Sequence, residues 1–256
     1  KIFTTAAAIE SGAVSERDTF FCPGYRVVDG KRIKCWRSIG HGSQHLAEGG
    51  KNSCNCVFMD LALRMGTGKF YDNLHKFGFG AKTGIDFYSE SSGLMMNEKS
   101  VKTVDLARIG FGQAVAVTPV QLISGVSAIV NGGVYHTPHF VESITSSNGE
   151  TLYEHRGEER RVVGESTSKQ MRSLLENVVK EGSGKKAGVA GYRVGGKTGT
   201  AQKYENGAIA QGKYVSSFVG FAPVDNPKYA VLMIIDEPGT YAYYGSIVAA
   251  PYVGGV

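Results

Sequence analysis

The spacing of apolar residues changes once along this chain, and that change restricts the fold more than any other feature. Residues 167–181 place apolar side chains three and four positions apart, which predicts an amphipathic helix that ends at Gly182. Beyond this glycine the period becomes strand-like. The predicted strands are residues 192–202, 214–222 and 229–237. A helical part followed by antiparallel strands predicts an α+β fold.

The region before residue 166 is predicted to be mainly helical. The predicted helices are residues 1–10, 55–65, about 69–76 and 118–131. Two short hairpins are predicted at the Asp29-Gly30 and Asn148-Gly149 turns. We therefore predict one domain over residues 1–256, with a helical lobe at about 1–165 and a helix plus antiparallel sheet at about 166–256.

Composition excludes several classes of protein. The 256 residues carry a net charge of +5 with no basic run, and no aromatic-basic pattern of the RNA-binding kind is present, so nucleic acid is not an expected partner. The longest apolar run, residues 229–235, is too short to cross a bilayer. Any membrane anchor is therefore expected outside this sequence.

The four cysteines lack the spacing of a zinc motif. Cys54 and Cys56 are only two positions apart and no histidine pair complements them, so the sequence predicts no metal site. In the first predicted hairpin Cys35 faces Gly24, which leaves Cys22 diagonal to Cys35 and near the limit of disulfide geometry. A disulfide between these two cysteines and two free thiols both stay open.

Two copies of Lys-Thr-Gly occur, and their contexts differ. Lys197-Thr198-Gly199, followed by Thr200, lies in a predicted strand with a hairpin partner, where its glycines expose backbone that a ligand can approach. Lys82-Thr83-Gly84 lies in a loop where a solvated lysine is expected. The first copy is therefore the candidate site.

Ser53-Cys54-Asn55 is a second candidate, at the start of a predicted helix. Ser and Asn fill N-cap positions in any protein, so a purely structural role is the alternative. A serine hydroxyl can also relay a proton, and an asparagine amide can hold a substrate amide. The order of Ser53 before the Lys197 strand favours the functional interpretation.

A serine nucleophile and a lysine base that lie one helical turn apart give the sequence pattern Ser-x-x-Lys. Ser166 with Lys169 and Ser183 with Lys186 match this pattern. The first pair lies opposite the apolar face of its helix, and the second is a glycine-rich helix exit. Neither pair is predicted to be catalytic.

Several motifs in one order give the chain a specific resemblance to a known family. The motifs are Lys1-Ile-Phe-Thr, His41-Gly42, Asn52-Ser-Cys-Asn55, Lys82-Thr-Gly-Ile-Asp86, Phe111-Gly-Gln113 with Val117-Thr-Pro-Val-Gln121, Gly196-Lys-Thr-Gly-Thr-Ala-Gln202 and the segment 217–227. Together they resemble a class B penicillin-binding protein of the division or spore-wall type. The Cys35-Trp36 segment resembles the spore-associated branch.

This resemblance implies an activity, serine D,D-transpeptidation of peptidoglycan stem peptides, and a set of roles. Lys1 would be the base of Ser-x-x-Lys, with the nucleophilic serine three residues before this sequence begins. Ser53 would pass a proton to the leaving amine and Asn55 would hold the donor amide. Lys197, Thr198 and Thr200 would bind the terminal carboxylate. The Thr200 N–H would join the oxyanion hole, and Gly199 would leave room for the acyl group.

The resemblance also implies a β-lactamase/transpeptidase-like fold of five strands and a C-terminal helix. Only the last three strands are expected here, without that helix, so the isolated piece is expected to be inactive and poorly folded. Expected partners are D-Ala-D-Ala stem peptides, β-lactams and a membrane-embedded wall-synthesis protein, at the outer face of the cell membrane. No cofactor is expected. Alternatives are a β-lactam sensor, a non-catalytic wall-binding relative or a serine β-lactamase.

Overall fold

The computed structural model describes residues 1–205, 208–239 and 242–256, and has an α+β architecture. The helices are α1 Ile2–Glu10, α2 Leu46–Lys51, α3 Asn55–Met65, α4 Thr67–Lys76, α5 Thr103–Gly110, α6 Pro119–Val130, α7 Glu165–Glu181, α8 Gly245–Val248 and α9 Ala250–Gly254. The strands are β1 Thr19–Cys22, β2 Tyr25–Val28, β3 Lys31–Lys34, β4 Gly42–His45, β5 Val134–His136, β6 Ser143–Thr145, β7 Thr151–Glu154, β8 Glu159–Arg161, β9 Gly195–Glu205, β10 Ala208–Ala222 and β11 Tyr229–Asp236.

Helix α1 runs through the hydrophobic core. Small residues let it pack on several sides at once, since Ala6, Ala7 and Ala8 are fully buried. The Phe3 ring packs against other aromatic rings at its N-terminal end, with its centroid 4.6 Å from that of Phe79. Thr4 donates a hydrogen bond of 2.7 Å to a backbone carbonyl of α5. These contacts fix the direction of α1 and with it the position of Lys1.

Helix α7 connects the helical lobe to the sheet. It packs against α1, α2 and β9, and its apolar face includes Met171 and Leu175 in the core. Buried Glu176 accepts two hydrogen bonds from Arg193, of 2.7 and 2.6 Å, just before β9 begins. Hydrogen bonds from the Arg193 guanidinium hold the pKa of Glu176 down at about 2. This ion pair therefore anchors the start of β9 to α7.

The main sheet confirms the three strands that the sequence predicts after α7. Its order is β11-β10-β9, with both pairs antiparallel. In this register Lys197 is opposite Val219, and Gly199 is opposite Ser217. Residues on the two faces of β11 pack against two different apolar clusters, which explains its continuous apolar sequence.

The predicted helices and hairpins outside the sheet are present, with small changes of boundary. A capping box begins α6, because the Gln121 N–H donates to Thr118 Oγ1 at 3.1 Å while the Thr118 N–H donates to Gln121 Oε1 at 2.8 Å. The sequence did not predict α2, α5 or the two-stranded pairings of β1 with β4 and β5 with β8. These elements are short, so their own spacing carries little signal.

Two short helices, α8 and α9, follow the sheet where no helix was predicted. Ala249 and Ala250 are fully buried, and Val253 packs with them against Phe218 and Val194. Gly245 allows this close approach, because a Cβ there would lie 2.2 Å from the Ser217 carbonyl oxygen. These contacts hold the two short helices against this end of the sheet.

The division at about residue 165 stays a prediction. Helices α1 to α6 precede that point and the main sheet follows it. Both parts contribute to one large apolar cluster, which includes Phe58 of α3 and Phe221 of β10.

Candidate active site

The Lys1 amine lies at the centre of a group of polar atoms from the start of α3. Its Nζ is 2.8 Å from the Ser53 carbonyl oxygen, 3.0 Å from Ser53 Oγ and 2.8 Å from Asn55 Oδ1. The Phe58 ring covers the amine with its centroid 5.2 Å from Nζ. The structure thus brings together three of the predicted site residues, which come from distant positions in the chain.

Ser53 is not the N-cap of α3. That position belongs to Cys54, whose side chain makes no capping bond, and Asn55 is the first helical residue. Ser53 instead has φ +52, in the left-handed region that is unfavourable for a residue with a Cβ. The purely structural alternative, in which Ser53 caps the helix, is therefore wrong, and the strained turn presents its hydroxyl to the lysines.

Lys197 of β9 approaches the same hydroxyl from the opposite side. Its Nζ donates to Ser53 Oγ at 2.9 Å and to Thr198 Oγ1 at 3.3 Å. Only 6% of Lys197 is exposed, and none of its hydrogen-bond partners in the described residues is a carboxylate. One serine hydroxyl therefore lies between two amines.

Both amines have lowered pKa values. Burial lowers the pKa of Lys1 to about 8, although electrostatic interaction with Cys35 and Cys54 acts in the opposite direction. Burial, and then the charge of Lys1, lower the pKa of Lys197 well below its usual range. Two ammonium groups at one hydroxyl repel each other, so the arrangement favours a state in which one amine is neutral.

The hydroxyls of β9 are in different environments. Thr198 Oγ1 lies 3.4 Å from Ser183 Oγ, at the exit of α7. Thr200 Oγ1 accepts a hydrogen bond of 3.0 Å from the Gly245 N–H, so its hydroxyl is engaged with the segment that begins α8. Sequence reasoning missed Ser183 as a site neighbour, and its only available signal was its place between α7 and β9.

Gly199 is close to Ser217 on the neighbouring strand. A Cβ at Gly199 would lie 2.4 Å from Ser217 Oγ, so any side chain there would displace this hydroxyl. The sequence interpretation gave another reason, room for an acyl group, and that reason stays a prediction.

The competing motifs are structural or solvated, as predicted. Glu90 accepts hydrogen bonds from the Thr83 and Gly84 N–H groups, at 2.7 and 3.1 Å, which makes the second Lys-Thr-Gly copy a loop-stabilising motif. Ser166 and Lys169 are both exposed on the first turn of α7.

Beside this site the structure gathers side chains that the sequence treated separately. Ligand atoms of Cys22, Cys35, His41 and Cys54 all lie within 4.8 Å of one another. All four cysteines are free and buried. Hydrogen bonds from the Cys54 and Cys56 thiols lower the pKa of Cys35. The prediction of no metal site rested on linear spacing, whereas the fold assembles this set from four separate segments.

A Lys-Ser-Asn group facing a Lys-Thr-Gly strand, in a helical lobe packed on an antiparallel sheet, defines a transpeptidase-type domain. The family described as the penicillin binding protein transpeptidase domain matches residues 1–255. The chain belongs to this family.

Relatives and solved structures agree with this assignment. The chain is 44% identical over its whole length to stage V sporulation protein D of Bacillus subtilis, of which it spans 40%. It is 34% identical, over 78% of its length, to a probable peptidoglycan D,D-transpeptidase of Neisseria gonorrhoeae, of which it spans 33%. Among solved structures, the chain is similar to penicillin-binding protein 3 of Mycobacterium tuberculosis in complex with aztreonam, with a TM-score of 0.91 and 30% sequence identity. The alignment covers 99% of this chain and 59% of the chain in that crystal structure.

Proposed function

We propose that the protein containing this chain is a serine D,D-transpeptidase that cross-links peptidoglycan stem peptides through an acyl-enzyme and is acylated by β-lactams. The observation that carries the proposal is the Ser53 hydroxyl, held at 3.0 Å from Lys1 Nζ and 2.9 Å from Lys197 Nζ. Family membership adds support, as do solved relatives whose crystals contain aztreonam or ampicillin.

Lys1 is suited to act as the base. Two of its neighbours, the Ser53 carbonyl and Asn55 Oδ1, can only accept, so they hold two N–H groups of a neutral amine. A neutral amine has two N–H groups and one lone pair, so the remaining position on Lys1 Nζ is occupied by the lone pair. A neutral Lys1 could take the proton of a serine placed three residues earlier, the position that the family resemblance assigns to the nucleophile.

Ser53 is suited to relay the proton to the leaving amine. Both Lys197 and protonated Lys1 donate to Ser53 Oγ, which leaves the hydroxyl hydrogen free to turn towards a leaving amine. A hydroxyl can donate one hydrogen bond while it accepts two, so Ser53 can pass a proton without changing its position. Its strained backbone makes this geometry a fixed property of the turn.

Lys197 and its neighbours are suited to recognise an anionic acyl donor. A carboxylate placed beside Lys197 Nζ would also meet the Thr198 hydroxyl and, next to it, that of Ser183. Asn55 would hold the donor amide, since among the described residues its Nδ2 has one partner, the Lys34 carbonyl at 3.4 Å. Gly199 and the Thr200 N–H would lie along the bound acyl chain on β9.

The cellular setting belongs to the same proposal. The 44% sequence identity to a sporulation protein supports a role in spore-wall synthesis. The family resemblance supports a domain on the outer side of the cell membrane that works with a membrane-embedded wall-synthesis protein. Within residues 1–205, 208–239 and 242–256, no helix has both the length and the apolar character that a membrane crossing requires.

The pH dependence of acylation tests the role of Lys1. Only the neutral amine can accept a proton, so the second-order rate constant for acylation by a fluorescent penicillin is expected to rise as pH increases through about 8 and to level above it. Stopped-flow measurements on the complete protein would show this rise. A rate constant that stays flat from about pH 6 to about pH 10 would contradict a titrating lysine base.

Replacing Lys197 tests the proposed function itself. The complete protein is expected to form a covalent adduct with a fluorescent penicillin, and Lys197→Ala is expected to slow that labelling by about 100-fold through loss of a preorganised cation. Lys203→Ala is the matched control, because Lys203 lies on the same strand but pairs at the surface with Asp236 and Glu237. If wild type forms no adduct, or both variants label equally fast, the proposal fails.

A further inference from the structure

The four side chains gathered beside the active site form what we call the cysteine-histidine cluster, Cys22, Cys35, His41 and Cys54. None of them has a role in the proposed transpeptidation. Their ligand atoms lie within 4.8 Å of one another, and the three cysteines are at most 5% exposed. Three thiols and one imidazole in so small a volume need a chemical explanation.

The composition and dimensions of the cluster fit a tetrahedral zinc site. Three cysteines and one histidine are a common structural zinc ligand set, whereas Ca²⁺ and Mg²⁺ prefer oxygen ligands. Zinc bonds of about 2.3 Å to sulfur and about 2.0 Å to nitrogen place neighbouring tetrahedral ligand atoms roughly 3.6 Å apart. The measured distance from Cys35 Sγ to His41 Nδ1 is 3.7 Å. This pair is thus at metal-binding separation, and the other ligand atoms are close enough to reach it with small shifts, since all four lie within 4.8 Å of one another.

The backbone around the cluster holds the ligands in place. The Cys35 N–H donates to the Gly24 carbonyl at 2.8 Å, and the His41 N–H donates to the Cys22 carbonyl at 3.0 Å. Gly40 lets these segments cross, because a Cβ there would lie 2.2 Å from the Cys22 carbonyl oxygen. The cluster therefore sits where β1, β3 and β4 end or begin, next to the N-cap of α3.

One ring nitrogen of His41 has no hydrogen-bond partner in the part of the chain that the structure describes. This atom, Nε2, is buried. A buried polar atom without a partner costs free energy, and coordination through Nε2 would supply that partner, whereas coordination through Nδ1, the nitrogen 3.7 Å from Cys35 Sγ, would leave Nε2 unpaired. The Trp36 ring packs edge-on against the imidazole, with centroids 5.4 Å apart, and limits its movement.

We propose that the cysteine-histidine cluster binds one Zn²⁺ in a closed, four-coordinate structural site. The metal ties the β1 to β4 segment to the start of α3 through Cys54. Because Cys54 lies between Ser53 and Asn55, the same ion fixes the turn that presents both residues to Lys1. This inference concerns residues outside the proposed catalytic group, so it stands or falls separately from the transpeptidase activity.

Metal analysis of the complete protein, purified with a phosphine reductant and without chelator, tests the proposal. We expect one zinc per chain by elemental mass spectrometry. Replacing zinc by Co²⁺ should produce thiolate charge-transfer bands and the visible bands of tetrahedral cobalt. Three thiols are expected to resist a thiol reagent until a chelator is added. A reduced, folded protein with zinc far below one equivalent and no cobalt spectrum would overturn the proposal.

Single substitutions test the ligand set. Cys22→Ser, Cys35→Ser, His41→Ala and Cys54→Ser are each expected to weaken zinc binding by more than about 100-fold, since even outer-shell partners contribute 10- to 100-fold. Cys56→Ser is the stringent control, a fully buried cysteine outside the ligand set whose thiol hydrogen-bonds to Cys35, and His136→Ala controls for the loss of a histidine. Both controls should keep the metal.

Two results would overturn the assignment. One is loss of zinc in Cys56→Ser with retention in His41→Ala. The other is a disulfide within the cluster whose reduction does not lead to metal uptake. If a ligand variant fails to fold, the cobalt spectrum and thiol protection of the wild-type protein still decide the question.

Discussion

Replacing Lys1 by alanine is expected to slow penicillin acylation of the complete protein by about 10²- to 10⁴-fold, the range that a positioned general base contributes. The reason is the position of its amine, which is held by Ser53 and Asn55 and has a pKa lowered to about 8. Pre-steady-state labelling with a fluorescent penicillin measures the effect. The melting temperature, measured in parallel, separates a lost base from a lost fold.

A matched pair of variants makes this test specific. Lys1→Arg keeps a cation but cannot supply a neutral base, so it should be as slow as Lys1→Ala. Lys82→Ala removes the exposed lysine of the other Lys-Thr-Gly copy and should label at the wild-type rate. Acylation of Lys1→Ala within about tenfold of wild type would rule out Lys1 as the base.

Truncating Phe218 to alanine is expected to destabilise the domain by about 3 to 5 kcal/mol. Its ring is fully buried between the sheet and α9, in a slot bordered by glycines. A Cβ at Gly196 would lie 2.6 Å from the ring, and one at Gly184 would lie 3.2 Å from it. The backbone packs directly against the ring, so the cavity left by truncation cannot close easily.

Urea unfolding followed by fluorescence would measure this loss as a shift in the midpoint of the transition that belongs to this domain. Phe140→Ala is the control, because Phe140 is 73% exposed and its removal leaves no cavity. Phe218→Leu should fall between the two. Equal midpoints for Phe218→Ala and Phe140→Ala would show that the slot can collapse around the missing ring.

Local sequence signals were sufficient for much of the fold. Helix α7 has an apolar face that its own sequence defines, and β11 is a short continuous apolar run next to a turn. The capping box at Thr118 and Gln121 is likewise a local pattern, and the structure contains it. The pairing of β1 with β4 was missed because four-residue strands separated by an intervening hairpin leave no periodic signal.

The sequence predicted which residues form the candidate active site, but not the backbone conformation that positions them. Lys1, Ser53, Asn55 and Lys197 were identified from motif order, and they meet in the structure. The left-handed conformation of Ser53 could not be predicted, because tertiary contacts impose it against the local preference of serine. The sequence did not predict the cysteine-histidine cluster, for a similar reason. Its members are unrelated in linear spacing, and only the turns at Gly24 and Gly40 bring them together.

The single hydroxyl shared by the two lysines also has an evolutionary consequence. Ser53 Oγ contacts both amines, so a substitution at either lysine changes the proton affinity of the other and alters which residues are tolerated at position 53. The three positions are therefore epistatic. The effect of a substitution at one of these positions on acylation therefore depends on which residues occupy the other two. We expect the three positions to change together in evolution.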